Sequence, residues 1–239
     1  MRRLLGSLFL LTSFILSAQK EAARPDVPGN IMVDVGLNYW DSEPNFVDQA
    51  GWRSKSVGIY YTKRKAFSKK FSFTYGLGLG LEKFDLGDSL TLSSGELFNA
   101  DDNDPANDSL AAFAFSSLPD NINYQKNRLA VTYLDIPVDF RFHPTGTEEG
   151  EGFFIGVGGI LGLRLASHRK LKFDEAEESV IEKVKGKYNL SSVRYGLQGR
   201  IGFKGVHLFY KRYFNDLFQD PIGGANPQTT TIGINITGF

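Results

Sequence analysis

Apolar and polar residues alternate with a period of two along most of the chain, and the cleanest run is 133–142. Leu134, Ile136, Val138, Phe140 and Phe142 fall on one side; Asp135, Pro137, Asp139 and Arg141 fall on the other. Successive side chains of a β-strand point to opposite faces, so this is a strand with one apolar and one charged face. The same alternation marks 31–39, 56–63, 71–84, 129–142, 153–166, 190–203, 206–213 and 229–239, which predicts about eight strands. In 71–84 the side opposite Phe71, Phe73, Tyr75, Leu77, Leu79 and Leu81 is Ser72, Thr74, Gly76, Gly78, Gly80 and Glu82. Stacked glycines mean that this side has little room. Lys204 and Gly205 form a two-residue turn, so Phe203 and Val206 share a face, and His207, Phe209, Lys211 and Tyr213 point inward. The charged segment 167–187 carries Glu178, Val180, Ile181 and Val184 at a spacing that suits a short helical turn.

A soluble sheet and a membrane barrel both show this alternation, with opposite meaning for the apolar face. Strand length separates them. Soluble strands average about 5–6 residues, whereas a tilted strand needs about 9–11 to cross a bilayer. Six of the eight predicted strands reach the longer range and the other two, at eight residues, fall just below it. Connections then alternate long and short, as in barrels with long outer loops and short periplasmic turns. The long ones are 41–55, 85–126, 167–187 and 215–228. The predicted fold is therefore all-β: a transmembrane, antiparallel, up-and-down barrel spanning 30–239. Leu77, Leu79, Ile136, Val138, Ile155, Leu197, Leu208 and Ile234 would face lipid. Asp34, Glu82, Asp135, Asp139, Arg141, Arg164, Arg194 and Arg200 would form an interior charge network, since charges in a narrow lumen must pair. Pro137 has no N–H for the ladder and predicts a bulge or local break. Tyr39, Trp40, Trp52, Tyr61, Phe71, Phe84, Phe142, Phe153, Phe203 and Phe214 lie near strand ends as interfacial girdles.

Composition sharpens this picture. Basic and acidic residues number 27 each, so nothing favours a nucleic-acid partner. Cysteine is absent, which removes thiolate metal sites, thiol nucleophiles and disulfides. Arg2 and Arg3 precede an apolar run ending at Leu16, followed by Ser17, Ala18 and Gln19. This is the pattern of a signal peptide, 1–18, with a periplasmic lead-in over 19–29. After it no apolar run approaches helical spanning length, so a membrane-embedded chain has to be a closed barrel.

The Ser-Ala-Gln signal end, Tyr133-Leu134-Asp135-Ile136-Pro137, Arg194-Tyr195-Gly196-Leu197 with Arg200-Ile201-Gly202, and Ile232-Gly233-Ile234-Asn235 together resemble the small outer-membrane β-barrel family of Bacteroidota. The resemblance implies an integral outer-membrane protein without catalytic residues or cofactors, and a place in protein secretion. The partners it implies are outer-membrane lipid, the barrel-assembly machinery and other secretion proteins. Phe239 is terminal, where many such barrels carry an assembly signal, but it is out of phase with Ile236.

Other chemistry finds little support. His143, His168 and His207 lie on different elements, and Gly76, Gly78 and Gly80 continue a strand and open no helix. Asp101, Asp102 and Asp104 lack the glycine turn and closing glutamate of a calcium loop. Ser167 and His168 would serve a lipid-modifying hydrolase, although adjacent strand residues face opposite ways. A narrow solute channel and a soluble ligand-binding barrel complete the alternatives.

Overall fold

The computed structural model describes residues 30–41, 52–87, 90–92, 115–117, 123–146, 152–175, 178–203, 205–221 and 226–238. The expected signal segment 1–18, the expected lead-in 19–29, positions 101–104 and Phe239 lie outside them. The strands are β1 (Asn30–Trp40), β2 (Lys55–Ala66), β3 (Phe71–Asp85), β4 (Leu90–Leu92), β5 (Phe115–Ser117), β6 (Asn123–Phe142), β7 (Phe153–Glu175), β8 (Glu178–Lys185), β9 (Val193–Phe203), β10 (Val206–Tyr213) and β11 (Thr229–Thr237). Eight of them form a ring in the order β1, β2, β3, β6, β7, β9, β10, β11, and β11 pairs back onto β1. Every pairing is antiparallel between neighbours in the ring, so the barrel is up-and-down and has no free edge. Among the described residues β4 and β5 pair only with each other.

The alternation decides which way each strand turns. On β1, Ile31, Val35 and Tyr39 are exposed, whereas Met32, Asp34 and Asn38 are buried. The outward row of β3 runs from Phe71 to Leu81. Ten steps of about 3.3 Å, tilted by about 45°, rise about 23 Å, close to the apolar band of outer-membrane barrels. Exposed aromatics border this belt: Phe71, Phe140, Phe142, Phe153 and Phe203 at the short-turn end, and Tyr39, Trp52, Tyr195 and Phe214 at the long-loop end. Trp40 and Phe84 depart from the expected girdle, being 5% and 1% exposed.

Those two rings belong instead to an apolar cap over the long-loop mouth, built with Leu86, Leu129, Val131, Tyr133, Tyr188, Leu190, Leu217 and Phe218. Trp40 lies 5.3 Å from Phe84 and 6.2 Å, edge-on, from Phe218. The segment after β10 is held over the mouth by a bridge between Leu190 and Phe218, and by the Gln219 N–H donating to the Asn189 carbonyl at 2.7 Å. The chain carries two tryptophans, one buried here and one 74% exposed at Trp52. Aqueous iodide should therefore quench only part of the emission, and Trp52→Phe should leave the unquenched part; full quenching of that variant would mean that the mouth is open.

Two features differ from the sequence reading, and one expectation holds. No helical turn follows β7; the strand runs on to Glu175 and returns as β8. Val180 and Val184 also satisfy a period of two with Glu182, and pairing with Phe173, Leu171 and Arg169 selects the strand. Pro137 gives the local break expected of it. The β3–β6 ladder lapses at 76/137 and 77/136 yet keeps one register from Gly78↔Asp135 to Tyr75↔Val138, while Pro137 stays opposite Ile160. The bulge lies further along, where Tyr133 faces Arg164 and Thr132 faces Ala166, leaving Leu165 over. Beyond it, Ser167, Arg169 and Leu171 turn inward and are buried.

Candidate functional site

The barrel interior is a continuous, buried polar core in two linked parts. Nearer the long-loop end, β9 sends in Arg194, which forks onto Asp135 of β6 through Nε (3.1 Å to Oδ1) and Nη2 (2.6 Å to Oδ2). Its Nη1 reaches Glu82 of β3 at 2.9 Å. Glu82 also accepts from the Ser56 hydroxyl at 3.1 Å and from the Asn38 amide. The guanidinium lies over Tyr133 at 3.8 Å and over Tyr213 at 4.5 Å, so its faces and its edge are both satisfied. The stacked glycines make this possible: a Cβ at Gly80 or Gly162 would strike the Asp135 carboxylate.

Nearer the short-turn end, Arg200 of β9 grips Asp34 of β1 with two bonds, 3.1 and 3.0 Å, and lies 3.2 Å from Asp139 of β6. Lys211 of β10 reaches Asp34 at 2.7 Å, and the Asn235 amide donates to the same carboxylate. Asp139 also accepts from Gln198 at 2.8 Å and pairs with Arg141 at 3.4 Å. Tyr60 joins the two parts, accepting from Lys211 at 3.2 Å and donating to Asp135 at 3.3 Å. Phe154 and His207, 4.7 Å apart and both buried, fill the lumen near the turn end with His143.

Four acids, Asp34, Glu82, Asp135 and Asp139, thus meet four bases, Arg141, Arg194, Arg200 and Lys211, none more than 9% exposed. The composition of this network corrects the sequence reading at one position. Arg164 takes no part in it; it sits at the long-loop rim and donates to the Ser191 and Lys187 carbonyls and the Ser167 hydroxyl. Lys211, on an inward position of β10, takes its place and completes the neutral count. The eight positions read as lipid-facing all lie on the outer surface; seven are 44–61% exposed and Val138 is half-buried.

The hydrolase reading loses its geometry. Ser167 is buried, with its hydroxyl donating to the Gly186 carbonyl, whereas His168 is on the opposite face of β7. Among the described residues no three potential metal ligands come together.

Residues 18–218 match the profile of a family described as an outer membrane protein beta-barrel domain. No curated protein matches the sequence. Among solved structures, the chain is similar to Ail, the attachment invasion locus protein of Yersinia pestis, determined in complex with the heparin analogue sucrose octasulfate. The identity is 12%, with 89% of this chain and 100% of that chain covered and a TM-score of 0.33. The translocator domain of the autotransporter NalP from Neisseria meningitidis is similar at 10% identity, over 98% of this chain and 97% of that one, with a TM-score of 0.21.

Proposed function

Since the chain belongs to the outer membrane protein beta-barrel domain family, and so is an outer-membrane β-barrel protein, we propose that it works as a closed, non-enzymatic scaffold in a protein-secretion assembly. The observation that carries this reading is the filled lumen. A charge-neutral network occupies its middle, Phe154 and His207 its turn end, and the cap around Trp40 and Phe218 its other mouth. About eight strands leave room for side chains only, so the parts free to act on other molecules are the loops, the turns and the outer wall. The long connections face outward and the short turns the periplasm, after export by a cleaved signal over 1–18. The residues that resemble the Bacteroidota family point to a PorT-like component of the type IX secretion machinery, a role that fits a barrel with nothing to conduct.

Purification of the tagged chain from mild detergent, with co-purifying proteins identified, tests the scaffold role; secretion-machinery subunits are the expected result, and recovery of the barrel alone at native expression contradicts it. In planar bilayers the protein should show no stable open state. A large, steady conductance would favour the solute channel instead.

A further inference from the structure

The outward face of β6, β7 and β8 beyond the apolar belt carries cations that the lumen does not use. The bulge at Leu165 creates it, turning His168, Lys170 and Lys172 outward where an unbroken strand would have buried them. Across the strands like then faces like. Lys126 stands opposite Lys172, and Lys170 stands between Arg128 and Lys183. His168 faces Lys185 on one side and Ala130 on the other, and Ala130 in turn faces Lys83 of β3. Burial, then Lys183, Lys170, Lys83 and Lys185, hold the His168 ring below the usual histidine range.

Acids do little to offset this charge. Asp85 is shared by Arg128 at 3.2 Å and Arg53 at 3.5 Å. Asp174 accepts from Gln125 at the far end, and Glu182 pairs with Arg169 on the opposite face. Among the described residues no acid lies in ion-pair contact with Lys83, Lys170, Lys172, Lys183 or Lys185. The whole chain is balanced at 27 basic and 27 acidic residues, so the patch reflects segregation of charge and not general basicity. Like charges directly opposite each other on a sheet are destabilising, a cost that a bound anion would remove.

Position selects the anion. The same face of the same strands carries the lipid-facing leucines, and on β3 the sequence steps from Leu81 to Lys83 with one inward residue between. Ile181, 56% exposed, stands opposite Lys172 within the patch. A lysine just above an apolar belt lays its methylene stem along that belt and lifts its ammonium to the headgroup layer. We propose that this face binds the phosphate headgroups of outer-leaflet lipid, gripping the membrane on one side of the barrel. The inference rests on the orientation given above, with long connections outside.

The test is a titration of the full mature chain in nonionic detergent with bisphosphorylated lipid A and with its dephosphorylated form, read by native mass spectrometry. The phosphorylated form should bind more tightly. The triple variant Lys170→Gln, Lys183→Gln, Lys185→Gln should weaken it about a hundredfold, three surface charges each worth close to a factor of five. The triple variant Lys63→Gln, Lys65→Gln, Lys70→Gln, at the turn end, should not. Heat-shifted gel mobility checks that both variants fold. Equal affinity for the two lipids, or equal loss in both variants, overturns the proposal. So does tighter binding of a soluble sulfated polysaccharide that is lost in the first variant, which would mark a soluble polyanion as the occupant. Lys183→Cys in whole cells, labelled with an impermeant maleimide, reads the orientation separately: labelling without lipid binding sinks only the headgroup inference, and lipid binding without labelling sinks the orientation.

Discussion

Asp34→Asn should cost about 3–5 kcal/mol of folding stability, the usual penalty for removing one partner of a buried ionic group. Asp34 is fully buried and receives two bonds from Arg200, one from Lys211 and one from Asn235. Arg200 keeps Asp139 when the charge is lost, but Lys211 keeps only the Tyr60 hydroxyl at 3.2 Å and the faces of Tyr60 and Phe209. The lumen then holds one unbalanced cation, 2% exposed and shut off from solvent. Lys211→Met in the same chain restores neutrality and should return a coupling energy of about 1–3 kcal/mol, within the range for contacting pairs. Urea unfolding in lipid vesicles, followed by the heat-shifted gel mobility of the folded barrel, measures all four corners of this cycle. If the two substitutions simply add, the lumen is not a balanced network.

That network shows what alternation can and cannot reveal. Period two assigns a face, and it placed Asp34, Asp135, Arg194 and Lys211 correctly on the inward side. It carries no height along the barrel axis. Arg164 and Arg194 both point inward, yet one lies at the rim among carbonyls and the other is fully sheathed by carboxylates and aromatic rings. Height depends on strand tilt and on the bulge at Leu165, and no single residue marks either. The same limit explains Trp40 and Phe84. Both lie at strand ends, as girdle residues do, and only the fold of 186–192 and 214–221 over the mouth shows that they are covered. The β7–β8 extension stayed hidden for another reason: Val180, Ile181 and Val184 fit a helix and a strand equally, and only pairing with β7 decides.

Leu77→Arg should cost about 2–4 kcal/mol and lower the yield of folded barrel, the penalty for a cation near the bilayer midplane on a lipid-facing strand position. Leu77 is 51% exposed, next to the centre of the Phe71–Leu81 row, and stands opposite Tyr61 of β2. The protein already carries a cation on this face at Lys83, six residues further on. Six steps at about 3.3 Å and about 45° of tilt put Lys83 about 14 Å nearer the long-loop end, within reach of headgroups. A guanidinium at position 77 has no such exit and must thin the bilayer or draw in water. Val206→Arg, on the same outward surface beside the turn between β9 and β10, should cost only about 0–1 kcal/mol, as at an interface. Val206 is 58% exposed, slightly more than Leu77, so exposure to water would rank the two costs alike. The hydrocarbon reading requires a clear gap between them. Equal unfolding midpoints for the two variants in vesicles would place this face in water and remove the basis for the membrane orientation.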